Sequence, residues 1–170
     1  MDTPYFGYPD FLPKVPDELI ESYDDMVARG WAKATSYRKA WTDHPDWPIR
    51  IYDVTDPLKD WITEVFTPYL GPVLQIHYLA VTNSDKSNKH RDVVRTTSFN
   101  YVVDTGGSAI TRMFDDEGNI LDTHQIEQKR WCQLSFVDKY HDIQFLDYQR
   151  PRYSIIVNAP KTLGHFNLLS

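Results

Sequence analysis

The chain has a single cysteine, Cys132, in 170 residues. That excludes an internal disulfide and a zinc site built from cysteines. Long apolar runs are missing too, and the start MDTPYFGYPDF lacks the basic-then-apolar order of a signal peptide. The expectation is therefore a soluble, cytoplasmic protein with no membrane partner. Positive charge is in deficit, with Lys+Arg 18 against Asp+Glu 24 and a formal charge of -6. Such a chain is poorly suited to non-specific DNA binding, where phosphates must be neutralised by a basic surface. There is no internal repeat, low-complexity tract or linker. What the chain has in quantity is aromatic surface, with 5 Trp, 11 Tyr and 8 Phe. Disordered chains lack these residues, so the expectation is one packed domain over residues 1–170.

Apolar spacing divides that domain. Residues 1–72 read as helical support and loops, and residues 73–170 as strands. Pro16 opens a helical pattern with Leu19, Ile20, Tyr23, Met26 and Val27 on one face, stopped by Gly30. Trp31 to Asp56 is irregular and rich in Trp and Pro, a candidate wall over a site or extra core. Asp56 reads as an N-cap with Pro57 at the first helical position, and Leu58, Trp61, Ile62, Val65, Phe66 and Tyr69 form the next apolar face. Strands are expected at Val73–Val81, Arg95–Val103, Ala109–Phe114, Asn119–Thr123, Trp131–Val137, Ile143–Leu146 and Arg152–Val157, with a hairpin turn at Asp115–Gly118. Helices followed by about seven short strands predict an α+β, mainly β chain with a sandwich or barrel.

Three elements carry chemistry. His90-Arg91-Asp92 places an imidazole and a carboxylate on one side of an extended segment, where both can reach one ion. His141 follows between two expected strands. Two histidines and one carboxylate can hold Fe(II) on one face and leave the opposite face open. Arg152 and Ser154 then share a strand face. If that face is interior, the guanidinium needs an anion, and a ligand carboxylate suits it in two parallel hydrogen bonds.

The ordered set His90-x-Asp92, His141, Arg152-x-Ser154 resembles the Fe(II)- and 2-oxoglutarate-dependent dioxygenases. The match extends to prolyl-4-hydroxylase-like members through Leu74-Gln75-Ile76-His77-Tyr78 before the metal motif. After it, Thr97-Ser98-Phe99-Asn100-Tyr101-Val102-Val103-Asp104 with Gly106-Gly107 also fits. The resemblance implies a double-stranded β-helix, a jelly-roll barrel braced by the N-terminal helices. It implies Fe(II) on His90, Asp92 and His141, and 2-oxoglutarate on Arg152 with help from Ser154. It implies dioxygen as oxidant, release of succinate and CO2, and hydroxylation of a substrate C–H bond. By analogy the first substrate class is a peptidyl side chain, with a small metabolite or nucleobase as alternatives.

Further candidates are Tyr78, matching a family tyrosine that hydrogen-bonds the co-substrate, and Asn100, on a strand expected to line the barrel. Lys86, Lys89, Arg91 and Arg95 cluster near the metal motif. His165 is a rival second imidazole, disfavoured because it follows the Arg152 strand. His44, His77 and His124 have no partner at a telling spacing. A non-catalytic jelly-roll binding or structural module remains the alternative, as does a cupin-type enzyme, although no H-x-H pair occurs.

Overall fold

Strand order defines the architecture. The computed structural model describes residues 5–30, 47–71, 75–92, 95–135 and 139–160. His44, His165 and most of the Trp31–Asp56 segment lie outside these residues, and the side chains of Arg95 and Thr96 are likewise outside the description. In chain order the strands are β1 (Phe6–Gly7), β2 (Ile49–Tyr52), β3 (Gln75–Val81), β4 (His90–Arg91), β5 (Arg95–Asp104), β6 (Gly107–Phe114), β7 (Ile120–His124), β8 (Trp131–Ser135), β9 (Tyr140–Tyr148) and β10 (Arg152–Pro160). The larger sheet runs β1-β8-β5-β10-β3-β2 and the smaller runs β4-β9-β6-β7. Every pairing between these strands is antiparallel.

From β3 onward the chain alternates between the sheets, with β6 and β7 forming the one hairpin within a sheet. The four central strands of the larger sheet, β8-β5-β10-β3, match in number the four of the smaller, β4-β9-β6-β7. This is the jelly roll of a double-stranded β-helix. The expected mainly β barrel with N-terminal helices is what the chain forms.

Two helices, α1 (Tyr23–Arg29) and α2 (Asp56–Leu70), stand before the barrel among the described residues. In α2, Leu58, Ile62, Phe66 and Leu70 recur every four residues and are buried. They pack on the outer face of the larger sheet against Phe99, Tyr101, Trp131, Tyr153, Ile155 and Val157. Phe66 is wedged edge-on between Phe99 at 5.4 Å and Trp131 at 4.8 Å. Each such side chain contributes about 1.5–3 kcal/mol by leaving water.

Several boundaries differ from expectation. The Pro16–Gly30 pattern splits into a 3-10 turn at Asp17–Leu19 and α1, because Ser22 is extended and its side chain accepts from the Asp25 N–H. Thr55, not Asp56, occupies the N-cap position of α2, with no capping bond from its side chain. The N-terminal part also supplies β1 and β2, which extend the larger sheet at both edges. β9 is longer than expected, so His141 lies within a strand rather than between two.

Gly106 (φ 72°) turns the chain from β5 to β6, and a Cβ there would stand 2.4 Å from the Arg150 carbonyl oxygen. Its own carbonyl accepts from the Gln149 and Arg150 N–H groups. The β5–β6 turn is thus docked on the β9–β10 turn, just ahead of Arg152.

Candidate metal centre

Register brings the two histidines together. His90 on β4 is the cross-strand partner of His141 on β9, and their rings lie 4.3 Å apart between centroids. Asp92, two residues on, turns its carboxylate to the same place. His141 Nε2 stands 3.1 Å from Asp92 Oδ2, and His90 Nε2 stands 3.9 Å from Asp92 Oδ1. One ligand atom from each residue lies within 4.8 Å of the others. The three expected ligands therefore converge.

The rings are oriented from behind. His90 Nδ1 is 2.6 Å from the Asn88 carbonyl oxygen, and His141 Nδ1 is 3.1 Å from the Lys139 carbonyl oxygen. A carbonyl only accepts, so each Nδ1 carries the proton. In the neutral imidazole each Nε2 then presents a bare lone pair. Two lone-pair nitrogens facing a carboxylate repel unless a cation stands between them. Such a backbone-held histidine is the usual arrangement of metal ligands. Donors of an octahedral ion with bonds of about 2.1 Å sit about 3 Å apart, close to the shortest spacing here. The donor set of two nitrogens and one carboxylate fits Fe(II).

Asp142, next to His141, is not available to an ion. Its two oxygens accept from Arg112 Nε at 2.8 Å and from the Arg112 terminal nitrogen at 2.6 Å. The same bonds raise the Arg112 pKa and keep it charged.

Asn88 is a residue that spacing did not reveal. It is buried in the loop before β4. Its side chain donates to the Ile143 carbonyl at 2.8 Å and accepts from the Ile143 N–H at 2.7 Å, while its own carbonyl holds His90. One asparagine thus ties the His90 segment to the strand of His141. A polar loop residue whose partner lies on a distant strand gives no local signal. Trp47 stands edge-on to the His90 ring at 6.1 Å.

The centre opens on a cavity between the sheets. Mouth included, it encloses about 480 Å³, and its walls include His90, His141, Asn100, Thr111, Arg152 and Ile156. Arg152 is buried, and no described residue gives it a carboxylate or another hydrogen-bond acceptor. Burial pushes its pKa down to about 10. Ser154 shares its strand face, is fully buried, and its hydroxyl has no hydrogen-bond partner among the described residues. Asn100 lines the wall, its Oδ1 accepting from the Ser98 hydroxyl at 3.1 Å.

One expectation is corrected. Tyr78 does not reach the cavity. Its neighbour Leu79 does, so Tyr78 points to the opposite, helix-covered face, where its hydroxyl accepts from the Glu21 N–H at 3.1 Å. Burial there pushes its pKa up to about 12. Of the basic residues near the metal motif, Lys89 and Arg91 are engaged with neighbouring side chains. Lys89 sits 3.9 Å over the Phe114 ring, and Arg91 packs on Tyr140 while pairing with Asp116 at 2.5 Å.

No protein-family model matches the chain, and no curated protein matches it. Solved structures that align with it include the Fe(II) form of HppE, at 11% identity and TM-score 0.42, over 65% of this chain and 49% of that one. The hydroxypropylphosphonic acid epoxidase from S. wedmorenis aligns at 13% identity and TM-score 0.42, over 65% of this chain and 50% of that one. Streptomyces albus HEPD with 2-hydroxyethylphosphonate and Fe(II) bound aligns at 11% identity and TM-score 0.42, over 75% of this chain and 23% of that one. The chain thus spans about half the length of the epoxidase structures. No helix among the described residues is long and apolar enough to cross a membrane.

Proposed function

We propose that this chain is an Fe(II)- and 2-oxoglutarate-dependent dioxygenase that hydroxylates a C–H bond, with a peptidyl side chain as the first substrate class. The observation that carries this reading is the pairing, in one cavity, of the His90, Asp92 and His141 centre with the buried Arg152. An unpaired buried guanidinium is costly, and an anionic ligand relieves it.

When bound, Fe(II) supplies the activation of dioxygen and the redox chemistry. The protein's own share is geometric and electrostatic. His90, Asp92 and His141 would hold the ion. The Asn88 and Lys139 carbonyls accept from Nδ1 of the two rings and aim both Nε2 atoms at the same point. Arg152 takes the far carboxylate of 2-oxoglutarate through its fork, and Ser154 adds a hydroxyl donor. Ile49, Leu79, Leu134 and Ile156 make part of the wall apolar, which strengthens the pairing at Arg152. We place the protein in the cytoplasm, where iron is kept ferrous.

Calorimetry with 2-oxoglutarate, in the presence and absence of a divalent ion under anaerobic conditions, tests the reading. We expect binding that needs the ion, is lost with the metal in His90→Ala, and is lost without loss of the metal in Arg152→Ala. Absence of any metal-dependent binding of the oxo-acid to the wild type would overturn it. The substrate is then sought by mass spectrometry, as a gain of one oxygen in cell extract incubated with the enzyme.

A further inference from the structure

Strand β10 sends alternate side chains to opposite faces. Tyr153, Ile155 and Val157 enter the helix-covered core, while Arg152 and Ile156 line the cavity. Asn100 is the cross-strand partner of Ile156 on β5 and lines the same cavity. Its chain neighbours Phe99 and Tyr101 are buried, yet Asn100 is only partly so. β5 lies between β8 and β10 in the sheet, so the cavity is what Asn100 is open to.

The two ends of its amide are in different states. Oδ1 accepts from the hydroxyl of Ser98, another wall residue, at 3.1 Å. Nδ2 has no hydrogen-bond partner among the described residues. Ser98 thus fixes which end of the amide is left for the cavity, and that end is a donor. Interior amides are almost always bonded, so an open donor in a cavity wall is a place for an acceptor.

Register gives its position along the cavity. β9 and β10 leave their common turn in the two sheets that enclose the cavity, and His141 lies far up β9 from that turn, whereas Arg152 begins β10. Asn100 stands beside Ile156, about 13 Å along β10 from Arg152. It is therefore displaced from Arg152 toward the metal centre.

We propose that Asn100 is a second anchor for the co-substrate. Its amide N–H donates to an oxygen of the keto acid end of 2-oxoglutarate, the end nearer the metal, while Arg152 holds the far carboxylate. Keto and carboxylate oxygens only accept, which is what an open N–H requires. The assignment rests on the dioxygenase reading and adds to it a residue that reads the near end of the oxo-acid.

Two measurements test it. In the Zn(II)-loaded, 15N-labelled full chain, the Asn100 side-chain signals are identified by their loss in Asn100→Asp, which keeps an acceptor for Ser98. Saturation with 2-oxoglutarate should shift them. So should 2-oxopentanoate, which keeps the keto acid end and lacks the far carboxylate, once it is raised until the His141 ring signals move. No shift with 2-oxoglutarate bound overturns the proposal. Movement of the His141 ring with 2-oxopentanoate but none at Asn100 overturns the assignment to the near end. By calorimetry, Asn100→Ala should bind 2-oxoglutarate about 10–100-fold more weakly, with Zn(II) affinity unchanged. An equal loss of Zn(II) affinity overturns the proposal, since Asn100 would then support the fold or the metal centre. If the dioxygenase reading fails, the wild type does not bind 2-oxoglutarate. If this inference alone fails, the wild type and Asn100→Ala bind it equally, so the two failures are distinguishable.

Discussion

The two ends of the cavity are built on opposite principles. At the metal end both histidines are held by their own backbone surroundings. Asn88 and Lys139 carbonyls orient the histidines, and Asn88 closes the bracket with Ile143. Along β10 the reverse holds. Arg152 has no acceptor among the described residues, and the side chains of Ser154 and Asn158 have no hydrogen-bond partner there either. The first arrangement suits a small ion, which needs donors fixed in advance. The second suits an organic ligand that brings its own hydrogen-bonding groups. Polar groups left unbonded in a barrel wall cost stability, and function is the usual reason such a cost persists.

The largest effect should come from removing the charge that this contrast turns on. Arg152→Met replaces a buried, unpaired cation by an apolar side chain of similar length. The folded pKa of Arg152 lies below its ordinary value, at about 10. The charged form is therefore disfavoured in the fold, and this cost is present in full at neutral pH. It fades only as pH rises through the interval between those two values. At pH 7 the ligand-free variant should be more stable by about 1–4 kcal/mol. Its affinity for 2-oxoglutarate should fall at least about 30-fold, corresponding to a loss of about 2 kcal/mol or more for an unpaired anion. Denaturant unfolding and calorimetry read the two quantities. A variant that is destabilised yet still binds the oxo-acid breaks the comparison, since Arg152 would then belong to the satisfied part of the molecule.

Asn88→Ala tests the other end. It leaves the Ile143 N–H and carbonyl without partners, at about 1–3 kcal/mol of stability. It also frees the His90 strand from that of His141, and Co(II) affinity should fall about 10–100-fold. Asn88→Asp keeps an acceptor for the Ile143 N–H but sets a carboxylate against the Ile143 carbonyl, so it should recover little. A Co(II) absorption spectrum separates positioning from mere loss of fold. A variant that melts early but binds Co(II) with unchanged spectrum and affinity would leave Asn88 as a structural clamp only.

Much of this contrast is legible in the sequence. His90, Asp92 and His141 are named by residue chemistry and order, and strand alternation alone puts Arg152 and Ser154 on one face. What is not legible depends on register. Tyr78 and Leu79 are neighbours, and only the packing of α2 on the larger sheet decides which of them faces the cavity. Asn88 meets Ile143 across two strands, a contact with no local signature. Strands β1 and β2 span two and four residues, too few for a period to show. The break before α1 rests on one extended residue, Ser22, within an otherwise helical spacing.

The smallest effect belongs to the arginine two residues before Arg152. Arg150 donates to both oxygens of Asp104, at 2.8 and 2.9 Å, across the turn made by Gly106. Burial works to raise the Asp104 pKa, but the hydrogen bonds from Arg150 and the Gly106 N–H outweigh it and hold it below 3.8. A depressed carboxylate pKa means that the pair stabilises the fold above that ordinary value. The contribution is lost as pH falls through the folded pKa. The Arg150 side chain is 53% exposed, so solvent screening keeps the effect of Arg150→Ala small at pH 7. Thermal melts of wild type and variant should differ at pH 7 and converge in acid as Asp104 protonates. A gap that persists in acid would mean that Arg150 holds the turn by packing. The paired and unpaired arginines would then differ by burial alone, not by whether a carboxylate meets them.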